Sequence, residues 1–147
     1  MKLATVRAGD IVAIPGPHEP RLGEVRAKQR GRLTVTPWPS ATTRDRAPVM
    51  IAATEVLAHY RRRARASTAG VGDLVLVDIR GRRFHARVTA RPDRGELELD
   101  PLTPNGNYFR ARPRDLRARW TSTKPAVSDA DARQRDPGEG ARDDRAA

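Results

Sequence analysis

An internal duplication constrains the fold of this 147-residue chain more than any other feature of its sequence. Residues 9–14, Gly-Asp-Ile-Val-Ala-Ile, match residues 72–77, Gly-Asp-Leu-Val-Leu-Val, at an offset of 63. Residues 31–38 match residues 95–102 at an offset of 64, and residues 55–60 match residues 115–120 at an offset of 60. The blocks recur in one order, and the offset changes only between them. The duplication predicts one small structural unit that is used twice.

The hydrophobic pattern within the repeat is that of β-strands. Apolar residues occupy every second position of residues 75–79, and the same alternation recurs in residues 96–100. Such alternation places one face of each strand against a core and the other toward solvent. The Asn105-Gly106 pair predicts a tight turn with positive φ at both residues. Pro113 predicts the start of a single helical turn before the final strand.

The order of these elements is a strand, a long loop, three strands, a helical turn and a last strand. Together with the Gly-Asp-x-Val-x-Val opening and the Ala-Arg-Val of residues 86–88, this order resembles the SH3-like small barrels, in particular the Tudor and KOW-type group. The resemblance covers residues 7–60 and 70–120. It implies an all-β fold of two tandem five-stranded SH3-like barrels, each with a short helical turn before its last strand. Whether the two barrels dock on one another is left open.

The rest of the chain has the composition of a linker and a tail. Residues 122–147 are polar and nearly free of large apolar groups, so they cannot bury enough surface to offset the entropy of ordering. The expected organisation is therefore a first barrel over residues 1–60, a basic linker over 61–69, a second barrel over 70–121 and a disordered C-terminal tail over 122–147.

Several functional classes find no support in the sequence. There is no cysteine, and the three histidines lack metal-ligand spacing, so we expect no metal and no cofactor. No catalytic motif is present, and we expect a protein that is not an enzyme. No stretch approaches the ~20 apolar residues of a membrane-spanning helix, which favours a cytoplasmic location.

The charge favours a polyanionic partner. The chain carries a net charge of +11, and an intracellular protein of that sign attracts nucleic acid. The positive charge is concentrated in the two predicted barrels and the linker, because the tail has 5 basic and 6 acidic residues. A GC-rich genome is an alternative source of arginine, and a solvated basic spacer is an alternative role for the linker.

Arginines of the linker and of the barrel loops are the candidate phosphate contacts, because a guanidinium binds phosphate oxygens through two parallel hydrogen bonds. In the linker these are Arg61, Arg62, Arg63 and Arg65. In the predicted loops they are Arg30 and Arg32 of the first copy, and Arg80, Arg82, Arg83, Arg110 and Arg112 of the second. The loop sets are hypothesised to converge into one basic rim.

Aromatic residues are too few for the cage with which many Tudor barrels bind methylated side chains. Trp38, between two prolines, and Tyr108 are predicted to be exposed and able to stack on an unpaired base. Tyr60 and Trp120 occupy equivalent positions and are predicted to pack in the core, and Phe84 and Phe109 are assigned to strands.

The sequence therefore favours a nucleic-acid-binding accessory protein of low sequence specificity that contacts DNA or RNA. A protein–protein adaptor that docks on an acidic partner, or a structural component of a larger particle, is the alternative.

Overall fold

The computed structural model describes residues 5–39, 46–93, 95–104 and 106–123, and within these ranges the chain is all-β. It contains ten strands and short 3-10 turns but no α-helix. The strands are β1 (Ile11–Ile14), β2 (Arg21–Gln29), β3 (Arg32–Pro37), β4 (Val49–Ala52), β5 (Ala58–Arg63), β6 (Leu74–Ile79), β7 (Arg82–Asp93), β8 (Glu96–Pro101), β9 (Arg110–Ala111) and β10 (Leu116–Ser122). The 3-10 turns are Ala53–Glu55, Ala66–Thr68 and Pro113–Asp115. No helix in these ranges is long and apolar enough to cross a membrane.

All ten strands belong to one antiparallel sheet, with the order β4-β3-β2-β1-β5-β10-β6-β7-β8-β9. We call β1–β5 the first half and β6–β10 the second half. The prediction of five strands per repeat, with a short helical turn before the fifth, is confirmed. The sheet is open, and two separate closed barrels are not observed. The physical reason is that the outer edges of β5 and β10 pair with each other and join the halves into one sheet.

Parts of the predicted linker and tail belong to the sheet. Residues 61–63 continue β5 and pair with β10, so this part of the expected linker is strand. The rest of the linker contains the 3-10 turn Ala66–Thr68. Of the expected tail, Ser122 ends β10 and Thr123 donates its backbone N–H to the His59 carbonyl at 3.0 Å. The remaining tail residues, 124–147, lie outside the described ranges.

The duplication is visible in the backbone hydrogen bonds. The N–H of Gly9 donates to the Val25 carbonyl at 2.8 Å, and the N–H of Gly72 donates to the Val88 carbonyl at 2.8 Å. In both halves the valine donates back to the aspartate that follows the glycine, at 2.9 Å. Both glycines have positive φ, which a glycine adopts without steric cost. The offset of 63 in the sequence is therefore an offset between equivalent structural positions.

A pseudo-two-fold axis relates the two halves and passes through the β5–β10 strand pair. Arg61 faces Thr121 across this pair, and these two residues are equivalent at the repeat offset of 60. The neighbouring pairs obey the same relation. Arg62 faces Trp120 and Tyr60 faces Ser122, where Arg62 is the repeat equivalent of Ser122 and Tyr60 is that of Trp120. The sheet thus joins the fifth strands of both repeats in a self-complementary way.

Three clusters of buried side chains stabilise this sheet. One lies within the first half and includes Val12, Ile14, Val25, Leu33 and Val35. A second lies within the second half and includes Val75, Val77, Phe84, Val88 and Leu97. Alternation places the third, which we call the middle core, on the opposite face of the central strands; it comprises Ile11, Trp38, Leu74, Ala118 and Trp120.

The cores decide which of the aromatic side chains are buried. Trp120 is buried at 3% exposure and Tyr60 packs partly buried against the same cluster, as predicted. Phe84, assigned to a strand, lies in β7 and is buried. The prediction that Trp38 is exposed is wrong: the second half covers its ring, which stacks on His85 with the centroids 3.9 Å apart. Tyr108, also predicted to be exposed, is instead partly buried, because its ring stacks on Phe84. Phe109 is 67% exposed, because the strand predicted around it is confined to Arg110–Ala111.

Gly106 also differs from expectation. Its φ is not positive, so the predicted pair of positive φ values is wrong there, and Asn105 lies outside the described ranges. A Cβ at Gly106 would lie 2.7 Å from the Cβ of Pro101 and 2.8 Å from the Phe84 ring. Close approach to the core, rather than turn geometry, is what requires glycine at this position.

Candidate nucleic-acid interface

Arginines accumulate at one end of the central strand pair, where β5 finishes and β10 begins. We call this region the basic end and define it by Arg62, Arg63, Arg65, Arg117 and Arg119. Arg62, Arg63, Arg65 and Arg117 are exposed, and Arg119 is half-buried. Three of the four linker arginines predicted from the sequence therefore lie near the start of β10. Arg62 faces Trp120 and Arg63 faces Arg119, so alternation directs these two linker side chains to opposite faces of the sheet.

The pseudo-two-fold axis provides an internal comparison for this surface. The opposite end of the strand pair has the same fold, so any residue that the fold requires is expected at both ends. The arginines do not recur: the equivalents of Arg62, Arg63, Arg117 and Arg119 are Ser122, Thr123, Leu57 and His59. Ser122, Thr123 and Leu57 show that the strand pairing does not require the charges of their equivalents. Arg119 and His59 differ from these pairs, because each of them binds the buried aspartate of its own half.

Two arginines face each other at the basic end. Arg63 lies directly opposite Arg119 in the β5–β10 register. The Arg119 guanidinium donates to the Asp73 carboxylate at 3.1 Å and to the Ala64 carbonyl at 3.1 Å. No carboxylate lies within 4.0 Å of the Arg63 guanidinium among the residues that the structure describes. Like charges directly opposite in a sheet are destabilising; the Asp73 carboxylate offsets this repulsion, and Arg63 is the exposed member of the pair.

Arg62 and Arg61 have different surroundings. The guanidinium carbon of Arg62 lies 5.7 Å from the centroid of the Trp120 ring, and this cation–π contact holds an exposed charge in place. Arg61 is half-buried, and its guanidinium donates to the Thr5 carbonyl at 2.9 Å. Arg61 therefore anchors the segment before β1, and it is a weaker candidate for a ligand contact than its neighbours.

Turns of the second half lie next to the basic end. The 3-10 turn Ala66–Thr68 packs against β10 and against the 3-10 turn Pro113–Asp115, which also contacts β6. Arg112 precedes the latter turn, and the two-residue turn of Arg80 and Gly81 follows β6. The structure thus brings Arg112 and the β6–β7 turn toward the linker arginines. The hypothesis of one rim that includes every loop set stays a prediction.

The other predicted arginines differ in whether they already have a partner. Arg83 pairs with Asp78 at 3.1 Å, and Arg110 pairs with Glu96 at 3.6 Å, so both already have a carboxylate partner. Arg30 and Arg32 lie in the β2–β3 hairpin of the first half, and both are exposed.

Buried carboxylates lie beneath the strand pair at both ends, and their role is not among the predictions made from the sequence. The Asp10 carboxylate accepts hydrogen bonds from the N–H groups of Arg7 and Arg62 and lies 2.7 Å from Nε2 of His59. Asp73, at the equivalent position, accepts from the Gly70 N–H and from Arg119. A signal for this role is present in the repeat, because Asp10 aligns with Asp73 and His59 aligns with Arg119.

A groove of about 560 Å³ lies between the two halves, apart from the basic end. Trp38, Leu22, Leu102 and Phe109 line it, together with the prolines at positions 17, 20, 39, 101 and 104. His85 lies in an adjacent smaller cavity, also lined by Trp38. Burial among these rings, and secondarily the charge of Arg46, lowers the pKa of His85 from 6.5 to about 4.

The described part of the chain contains no group of three or more His, Cys, Asp or Glu side chains that could hold a metal ion. Comparison with known proteins gives no family. No protein-family model, curated protein or solved structure matches this chain.

Proposed function

We propose that this protein is a non-enzymatic, nucleic-acid-binding accessory protein that holds the phosphate backbone of DNA or RNA at the basic end. One observation carries the proposal: Arg62 and Arg63 occupy one end of the pseudo-symmetric strand pair, whereas Ser122 and Thr123 take the equivalent positions at the other. Because the fold does not require these charges, we assign them to binding.

The chemistry of the basic end favours backbone contacts over base recognition. Arg62, Arg63 and Arg65 are exposed and have no carboxylate partner in the part of the chain that the structure describes, so their guanidinium groups are available to phosphate oxygens. Contacts with phosphates position a protein on nucleic acid but carry no sequence information. We therefore expect low sequence specificity and strong dependence on salt.

The architecture supports a relation to the SH3-like barrels. Each half has five strands in the order fourth, third, second, first, fifth, and a 3-10 turn precedes the fifth strand. We propose that the chain is a tandem of Tudor- or KOW-like units whose fifth strands have paired, and that it acts in the cytoplasm.

A salt titration tests the function. Labelled probes of about 20 nucleotides, as duplex DNA, single-stranded DNA and hairpin RNA, are titrated with the full chain at several salt concentrations. If six to eight phosphates are neutralised, the logarithm of the binding constant falls with the logarithm of salt at a slope of roughly −5 to −7. Failure to bind every probe at about 100 mM salt rules out the proposal.

The repeat itself supplies the matched variant for locating the site. Arg62→Ser and Arg63→Thr together introduce the residues found at Ser122 and Thr123, so the fold tolerates them at the other end. This double variant is expected to reduce the slope by about 1.8, since each lost phosphate contact removes about 0.9.

The control is Arg26→Ser with Lys28→Thr, which removes the same charge from exposed positions of β2. The control is expected to keep a slope close to that of the wild type. Equal effects of the two double variants contradict the assignment to the basic end, although binding itself remains.

A protein–protein adaptor is the second candidate, and the exposed Phe109 at the groove favours it. A large exposed ring beside a concave, proline-lined surface is typical of a docking site. Co-purification separates the candidates: nucleic acid released by salt supports the first, and a stoichiometric protein partner supports the second.

A further inference from the structure

The backbone of three arginines adopts a conformation that their side chains disfavour. In the described part of the chain, three non-glycine residues have positive φ: Arg30 at 51°, Arg65 at 59° and Arg80 at 54°. All three are exposed. An L-residue with a long side chain in this region suffers a clash of its Cβ with the backbone, whereas Gly, Asn and Asp tolerate the region better.

Two of these arginines occupy positions where asparagine is the preferred residue. Arg30 and Gly31, with φ values of 51° and 81°, connect β2 to β3. Arg80 and Gly81, with φ values of 54° and 83°, connect β6 to β7 in the same way. A two-residue hairpin turn with positive φ at both positions is a type I′ turn, for which Asn-Gly is the strongest sequence preference. Arginine at the first position therefore destabilises both hairpins relative to asparagine.

The guanidinium groups of these three arginines make no polar contact that would offset the strain within the described residues. No hydrogen bond or ion pair of the Arg30, Arg65 or Arg80 guanidinium is found within residues 5–39, 46–93, 95–104 and 106–123. The contacts at Arg65 involve its backbone: its carbonyl accepts from the Thr68 N–H at 3.0 Å and from the Thr68 hydroxyl at 2.8 Å. Any residue in the same conformation makes these two bonds.

Strained backbone without structural compensation is a signature of functional positions. Resting on the proposed function, we infer that Arg30, Arg65 and Arg80 each contact a phosphate of the bound nucleic acid. The three lie in the first half, between the halves and in the second half, respectively. The ligand is therefore a continuous polynucleotide backbone that extends across both halves, and a single nucleotide does not substitute for it.

The test measures stability and binding on the same variants of the full chain. Arg30→Asn, Arg65→Asn and Arg80→Asn are each expected to raise the folding equilibrium constant about fivefold in denaturant unfolding, because asparagine relieves the left-handed strain. Each is expected to weaken binding of the 20-nucleotide probes and to reduce the salt slope by about 0.9. A mononucleotide at equal phosphate concentration is expected to compete poorly with the probes.

Arg26→Asn is the matched control. Arg26 is exposed in β2, lacks positive φ, and contacts Glu24 and Thr36. Its replacement removes the same charge but is expected to lower stability slightly and to leave the salt slope near that of the wild type.

The outcomes separate the inference from the function it rests on. Asparagine variants that gain stability and bind the probes with unchanged slope overturn the inference, and the proposed function survives. Variants that gain no stability also overturn it, because the arginines then carry no conformational cost. A wild-type chain that binds no probe removes the proposed function and the inference together.

Discussion

Acidification is expected to weaken the joint between the two halves through His85. The imidazole lies in the middle of the sheet on β7, stacked on Trp38 at a centroid distance of 3.9 Å and 5.8 Å from the Trp120 ring. Desolvation in this setting, and then the charge of Arg46, lowers its pKa from 6.5 to about 4. The folded chain therefore keeps His85 neutral at a pH where the unfolded chain protonates it.

The size of the effect follows from linkage. Between pH values near 6.5 and 4 the unfolded state binds one more proton at this residue than the folded state, so stability falls as the pH falls. From about pH 7.5 to about pH 4.5, a pKa of about 4 in the folded state gives a loss of about 2.5 kcal/mol in unfolding free energy. Below the folded-state pKa the loss levels off, because both states are then protonated.

The perturbation is His85→Leu, which introduces the residue found at the equivalent Leu22. Unfolding free energies come from denaturant titrations followed by tryptophan fluorescence at the two pH values. Wild type is expected to lose about 2 to 3 kcal/mol more than the variant on acidification. His18→Leu, at an exposed position, is the control and is expected to keep the wild-type difference. If the His85 variant loses as much stability as the wild type, the reasoning is refuted.

Three further substitutions test buried contacts of the sheet. Asp10→Ala is expected to cost about 3 to 5 kcal/mol of unfolding free energy, because it leaves two backbone N–H groups and His59 unpaired in a buried place. Asp73→Ala is expected to cost less unfolding free energy, since Arg119 is half-buried and keeps its bond to the Ala64 carbonyl. Denaturant titration of both aspartate variants compares the two losses, and equal losses contradict the expectation. Gly106→Ala is expected to destabilise the fold by about 1 to 3 kcal/mol, because the added Cβ overlaps Phe84 and Pro101. The control is Gly70→Ala, where a Cβ meets nothing within 4 Å. Thermal unfolding of the two variants measures the difference.

Much of the fold is predictable from the sequence because strands and repeats leave local signals. Alternation in residues 75–79 and 96–100 correctly identified β6 and β8, and the offset of the repeat identified equivalent strands. The pairing of the two halves in one sheet has a weaker signal in the sequence. Residues 11–14 are apolar at every position, which is typical of a strand buried on both faces, and both faces of β1 are indeed covered.

The candidate site was predictable only in part. Arginine-rich segments are visible in the sequence, but the distinction between Arg61, which anchors Thr5, and its exposed neighbours depends on strand pairing. Trp38 was predicted to be exposed but is buried, and Phe109 was assigned to a strand but is exposed. Exposure of an aromatic ring is decided by what packs on it, and the second half that covers Trp38 is distant in the sequence.

The pairing of β5 with β10 also has a consequence for biosynthesis. β10 is the last of the ten strands to leave the ribosome, and until it arrives the outer edge of β5 has no partner in the sheet. A bare edge strand is a template for pairing with another chain. Because β10 is the native partner of β5, β10 of one chain fits the unpaired β5 of another, and we expect high expression levels to favour dimers in which the two molecules exchange this strand.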